Sequence, residues 1–249
     1  MRNIARIAPV FVGLMLSTPA ALDVKSAPPG DDKVRFSCSL ESAELTLGEP
    51  IVLDMSLQNA SGELVQLDLR KDCKDNFLFV ITGPDGTAIS PPPLASQGLT
   101  RVGLVPVEPG RTYKQKLLLN EWTGFPKAGT YLIDVRLSSR PEPGSSAAAY
   151  ESPPSRLELQ VHPRDPGRLE SLCLSLALGV EQASSFEEAD WNARTLSYVR
   201  DPVAVPYLER VLRTPWFVEP FAIDGLAAIG NAPAVRVLVS ALNIDAPRM

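Results

Sequence analysis

The chain has 249 residues, which allows one or two domains at roughly 150 residues each. Hydrophobic residues make up 45% and charged residues 21%, a balance that a folded chain can carry and that argues against global disorder. Lys+Arg is 24 against Asp+Glu 29, and the pI near 5.1 disfavours a nucleic-acid groove or a polybasic membrane surface. A single His removes most His-based catalysis and most zinc sites. Proline, at 24 residues, is roughly twice its usual share of about 5%.

Residues 1–21 have the layout of a secretory signal peptide: Arg2 and Arg6, an apolar stretch from Ile7 to Leu16, then the small residues Thr18, Ala20 and Ala21. The apolar stretch is too short for a membrane span of about 20 residues. Cleavage near Ala21 removes two arginines and leaves 22 basic against 29 acidic residues, a net charge of −7. No Cys lies near that point, so a lipid anchor is not expected. The expected product is a soluble periplasmic or extracellular chain with no stable membrane span, preceded by a linker over 22–32.

From 33 to 162 the apolar residues recur with period two. Val34, Phe36, Cys38 and Leu40 form one row; Ile51, Leu53, Met55 and Leu57 a second; Val65, Leu67 and Leu69 a third. Further short runs follow at 77–81, 113–119, 131–137 and 157–161. Such alternation marks half-buried strands. Gly- and Pro-containing breaks separate them, at Gly48-Glu49-Pro50, Asn59 to Gly62, Gly83 to Gly86, Glu108-Pro109-Gly110 and Lys127-Ala128-Gly129. Seven or eight strands with these turns predict an all-β antiparallel immunoglobulin-like sandwich over 33–162. Pro91-Pro92-Pro93 cannot pair inside a sheet, and 139–154 reads as a long polar loop.

Past His162 the period becomes helical. Asp165 caps a first helix that opens at Pro166 and carries Leu169, Leu172, Cys173, Leu176, Ala177 and Val180 on one face. Ser185 and Glu188 form a capping box for a second helix carrying Phe186, Ala189, Ala193 and Leu196. A third helix carries Val205, Leu208 and Leu212. It either starts at the Asp201 cap, where Pro206 loses a backbone bond, or begins a turn later, where Pro206 is harmless. A fourth runs from Glu219 to Ile229 and stops at Gly230; a fifth carries Val235, Leu238 and Leu242.

A shift of 30 residues superposes Leu196 on Leu226, Val199 on Ile229, Asp201 on Asn231, Ala204 on Ala234, Val205 on Val235, Leu208 on Leu238 and Leu212 on Leu242. Two helices per 30-residue unit is a solenoid repeat whose recurring apolar residues are the inward ones, so 163–249 is expected to be an all-α helical array. The stretches YVRDPVAVPYLERVLR and FAIDGLAAIGNAPAVRVLVSALN resemble the HEAT-like repeats related to those of phycobiliprotein lyases, over about 186–243. That resemblance implies scaffolding and protein binding more than bilin attachment, for which no handling residues are identifiable. In the first half NASGELVQLDL, FLFVITGPDG, LNEW and AGTYLIDVRL are similar to the bacterial intracellular proteinase inhibitor domain family, an immunoglobulin-like sandwich. Matching features are Asn59, Asp85-Gly86, Pro109-Gly110, Trp122 and Gly129-Thr130-Tyr131. The export signal and the helical annex depart from that family.

Few residues are candidates for chemistry. His162 reads as a linker residue. No nucleophile elbow and no Cys-x-x-Cys is present. Asp72, Asp75 and Asn76 have oxygen ligands for calcium, but Lys71 and Lys74 oppose the ion and a solvated turn explains them. Asn59-Ala60-Ser61 fits a glycosylation acceptor and also plain turn chemistry, the preferred reading. Glu187, Glu188 and Asp190 suit the first turns of a helix. Cys38 and Cys73 could pair as a disulfide, whereas Cys173 reads as a small core hydrophobe. Trp122 is expected to close the sandwich core, and Trp216 and Phe217 either close the helical core or join an anchor patch. Glu209, Arg210, Arg213, Arg236 and Ser240 are the solvent-facing positions expected to form a protein-binding surface.

No catalytic residue, cofactor or metal is predicted. The expected function is a non-enzymatic, extracytoplasmic binding or scaffold protein with a protein partner and no nucleic acid; the alternative is a protease inhibitor acting through sandwich loops. A solenoid needs about three repeats and polar caps, and this one shows about two. Either the sandwich covers one end and residues 165–182 cap the other, or the open end self-associates, or the reading frame stops short.

Overall fold

The computed structural model describes residues 33–69, 76–89, 91, 104–139 and 149–244. The expected signal peptide, the linker, Cys73, Asp72, Asp75, Pro92 and Pro93 lie outside these residues.

The first part is a β-sandwich. Its strands are β1 (Val34–Leu40), β2 (Glu44–Thr46), β3 (Val52–Asn59), β4 (Val65–Asp68), β5 (Phe77–Thr82), β6 (Ala88–Ile89), β7 (Leu104–Val107), β8 (Thr112–Leu118), β9 (Gly129–Ser139), β10 (Tyr150–Glu151) and β11 (Ser155–His162). One sheet has the order β1-β3-β8. The other has the order β2-β11-β9-β5-β6, with β10 on β9, and β4 pairs β7 separately. The seven apolar runs of the sequence correspond to β1, β3, β4, β5, β8, β9 and β11. Beyond these are four strands of two to four residues, too short to show a period. Pairing is antiparallel except between β2 and β11, which run parallel. Tyr150 falls in the stretch expected to be loop, yet it pairs with Ser139, is buried, and its hydroxyl donates to the Val34 carbonyl at 3.2 Å.

The period-two rows supply the core: Leu53, Met55 and Leu57 of β3 face Ile133, Val135 and Leu137 of β9 within one buried cluster. Trp122 closes it as expected, edge-on to Phe79 with ring centroids 5.0 Å apart. Tyr131, at the start of β9, turns its hydroxyl back to donate to the Lys127 carbonyl at 2.8 Å and to accept from the Lys127 amide at 3.2 Å. This is the tyrosine corner of immunoglobulin-like sandwiches.

Five helices follow: α1 (Pro166–Glu181), α2 (Phe186–Ser197), α3 (Val205–Val211), α4 (Glu219–Ile229) and α5 (Ala232–Ile244). The caps are those the sequence announces. Asp165 accepts from the Gly167 and Arg168 amides, and Ser185 Oγ accepts from the Glu188 amide. The Glu188 carboxylate reaches Ser184 rather than Ser185. Asp201 caps a single 3-10 turn, Pro202–Ala204, and the α-helix proper starts at Val205. Pro206 therefore sits in a first turn, where its missing amide has no partner to lose. Gly230 ends α4 with φ +62, a left-handed cap suited to glycine.

The stacking follows the 30-residue repeat: α2 packs on α4, α1 on α3, and α3 on α5. Leu169, Cys173, Ala177, Val180, Ala193, Leu196, Leu208 and Leu226 fill a second core, separate from that of the sandwich. The chain is thus an immunoglobulin-like sandwich followed by a helical repeat.

Candidate functional site

Two places on this frame present chemistry to the outside: the cleft where sandwich and helices meet, and the far end of the helical array. The first is built by the β2–β3 connection, the turn after β8, and the start of α1. Thr46 is its hinge pin. Its hydroxyl donates to the Pro163 carbonyl at 2.6 Å and accepts from the Asp165 amide at 2.8 Å, while the Leu47 amide donates to the His162 carbonyl. Glu49, buried in the same turn, accepts from the Thr46 amide at 2.9 Å and from Arg168 Nε at 2.6 Å; Arg168 also donates to the Glu44 carbonyl. Leu169 side-chain atoms lie 3.6 Å from where a Cβ on Gly48 would sit.

Two more arginines lock the joint. Arg164 grips Asp201 through two bonds at 2.5 and 2.9 Å. That contact holds the Asp201 carboxyl below its ordinary pKa, against the opposing effect of its partial burial. Arg194 of α2 lies 3.6 Å from Glu121, a nearly inaccessible carboxylate in the 3-10 turn Leu119–Glu121. Removing Arg194 would strand the Glu121 charge, which is only 6% exposed.

Beside this joint opens a cleft of about 340 Å³. Its walls come from both halves of the chain and include Ile51, Phe125 and Val161 on one side and Tyr198 and Arg200 on the other. Burial pushes the Tyr198 hydroxyl up to about 12, with the nearby Glu121 charge acting in the same direction.

The second place is the end of the array. Val235, Val239 and Leu242 form an i, i+4, i+7 row on α5 and are all exposed, as is Ile223 on α4. The 30-residue repeat makes this informative. Val205 is 6% exposed but its equivalent Val235 is 48%, and Ala193 is 0% exposed but its equivalent Ile223 is 45%. Leu242, expected inward, is 77% exposed. Faces that a neighbouring layer covers at α2 and α3 are thus exposed at α4 and α5.

The expected binding residues are placed as follows. Arg210 pairs with Glu181 of α1 through two hydrogen bonds, the shorter 2.7 Å. Arg213 pairs with Glu209 one helical turn back. Arg236 and Ser240 are exposed on α5. Three of the five are thus engaged within the chain, and the apolar row on α5 is the feature that the charged positions did not announce. Phe186 is exposed; Trp216 packs on the helical core while Phe217 stands out from it.

Other candidates resolve into structure. Asn59 is fully buried: its amide donates to the Glu63 and Val107 carbonyls and its oxygen accepts from Ser61. The turn reading holds, and no side-chain nitrogen is left for a glycan. Asn76 donates to the Asp68 carbonyl. His162 is exposed, 3.5 Å from Glu44. Cys38 and Cys173 are buried thiols pushed up to about 12 by burial; the proposed partner of Cys38 lies outside the described residues. Among the described residues no cluster of three or more His, Cys, Asp or Glu could hold a metal, and no helix is long and apolar enough to cross a membrane.

No protein-family model and no curated protein matches this chain. Among solved structures, it is distantly similar to a structural-genomics target designated SoR45 (15% identity, TM-score 0.34, 53% of this chain and 88% of that one). It is also similar to the CARDB domain of a Pyrococcus furiosus protein in complex with di-metal ions (10%, 0.28, 55% and 97%). A third is the Pseudomonas fluorescens alkylpurine DNA glycosylase AlkC bound to DNA (11%, 0.28, 51% and 30%). All three likenesses lie below a TM-score of one half, so the functional reading rests on this chain's own residues.

Proposed function

We propose that this is a non-enzymatic, exported binding or scaffold protein, in which the sandwich anchors a short helical array whose open end receives a protein partner. The observation that carries the reading is the apolar row Val235, Val239 and Leu242 with Ile223, exposed where the preceding repeat is covered. A contiguous apolar face of this kind marks an interaction site more often than a bare surface. The resemblance of residues 186–243 to HEAT-like repeats supports the same reading, and the basic, apolar, small-residue order of 1–21 supports export. The partner best suited is another helical pair presenting its own apolar face, since that is what covers the equivalent positions one repeat earlier; a second copy of this chain carries such a face.

The test is a photo-crosslinking residue placed at position 239 of the full chain in its host, against the same residue at exposed position 114 on the sandwich. Sedimentation of the purified chain over rising concentration runs alongside. A discrete adduct at 239 that is absent at 114 and lost when Leu242→Glu is added supports the reading, and a concentration-dependent dimer abolished by Leu242→Glu identifies the partner as a second copy. Equal, diffuse adducts at both positions together with a monomer at all concentrations overturn it.

A further inference from the structure

The geometry points to the cleft between sandwich and helices as a binding site for a small monocarboxylate with a compact apolar body. Its lining holds unspent hydrogen-bonding capacity. Glu49 is the one acid among the described residues lining the cleft, and its two oxygens are taken by the Thr46 amide and Arg168. Asn120 spends its oxygen on the Ile51 amide at 2.5 Å, which fixes the side chain and leaves its NH2 as a donor. The Thr123 and Tyr198 hydroxyls have no hydrogen-bond partner among the described residues, and Arg200, exposed, has no acidic one; its guanidinium lies 5.5 Å from the centre of the Tyr198 ring.

What remains on offer is therefore one cation and a set of neutral donors, contributed by the turn after β8 on one side and by the end of α2 on the other. An anion with two acceptor oxygens matches that set, and guanidinium–carboxylate bonds are the stronger kind. The sandwich side also carries an apolar wall, from Ile51 and Phe125. A volume of about 340 Å³ sits at the low end of the range for small-molecule sites. A bare phosphate or sulfate would leave the apolar wall unused, so the carboxylate should carry an aromatic or branched body. Such a ligand would touch both halves of the chain at once.

The test uses the full-length purified protein, isotope-labelled, titrated with sodium benzoate and separately with benzamide at constant ionic strength, with backbone amide shifts as the readout. The expected result is saturable shifts at Thr123, Gly124, Tyr198 and Arg200 with one shared Kd on the order of 1 mM or tighter. Benzamide should be at least about tenfold weaker, and Arg200→Gln should weaken benzoate by about tenfold or more through loss of the charge-assisted contact. Arg200 is exposed, so this variant should keep its fold; Thr123→Val is a second, independent variant with the same expected direction. Non-saturating shifts, equal response to benzamide, indifference to both variants, or shifts mapping away from the cleft would each overturn the inference.

Discussion

Replacing Gly225 by alanine sets two opposed effects against each other, and the stacking of α2 on α4 decides the sign. In an exposed helix interior the change would stabilise by about 1 kcal/mol, because alanine loses less backbone freedom on folding. Here a Cβ would lie 3.0 Å from Ser197 Cα and 3.1 Å from both Leu208 methyls. The leucine can rotate away, but the Ser197 backbone of α2 cannot move without shifting the helix. Forcing a methyl into a packed contact of this kind costs roughly 1–3 kcal/mol. Setting that against the propensity gain, the expected net loss for Gly225→Ala is about 1 kcal/mol, or about 2–4 °C in Tm for a chain of this size. Gly167→Ala in the first turn of α1 is the matched control: its new Cβ would meet nothing closer than Asp165 Oδ1 at 3.6 Å, so a gain of roughly 0.4–1 kcal/mol is expected. Thermal denaturation followed by far-UV circular dichroism compares the two. A Gly225→Ala chain that melts at or above wild type would show that α2 and α4 do not approach this closely, and the repeat stacking would have to be redrawn.

Asp201→Asn keeps an N-cap acceptor for the Val203 amide but removes the charge that Arg164 grips. Because the Asp201 carboxyl is held below its ordinary value, its contribution is present above the unfolded-state pKa of about 3.9 and is lost as the pH falls through the lower folded value. Urea melts should therefore separate wild type from variant near pH 7 and bring them together in strong acid; a constant gap at every pH would refute the role given to the charge. Tyr131→Phe removes the hydroxyl that both accepts from and donates to Lys127, and a loss of about 1–3 kcal/mol is expected in chemical denaturation. An unchanged midpoint would mean that water replaces the corner without cost.

The sequence carried the architecture where local chemistry sets it. Period-two rows marked seven of the strands, and Asp165, Ser185 and Gly230 marked helix ends because capping needs only neighbours within a turn. Strands of two or three residues such as Glu44–Thr46 left no period to read, since their pairing is decided by β11 more than a hundred residues away. The helical period also misled in one respect. It identifies the apolar side of α5 but not whether a neighbour covers it, so Val235 and Leu242 read as inward and are exposed. The cleft was illegible for a related reason: Thr123 and Tyr198 belong to no shared motif and line one cleft because contacts such as Glu49–Arg168 and Thr46–Asp165 join the two halves. The charges proposed as a contact surface, Glu209, Arg210 and Arg213, were visible as solvent-facing, but their partners within the chain were not.

Only Pro163, Arg164 and Asp165 stand between β11 and α1, and each is held: Thr46 binds the Pro163 and Asp165 backbones, and the Arg164 side chain is clamped to the capped turn before α3. Such a splice leaves little slack for one module to pivot on the other. Whatever seats itself on α5 would thereby set the bearing of the whole β-sandwich behind it, so the chain would act as a rigid bracket rather than a tethered pair, transmitting orientation as well as proximity.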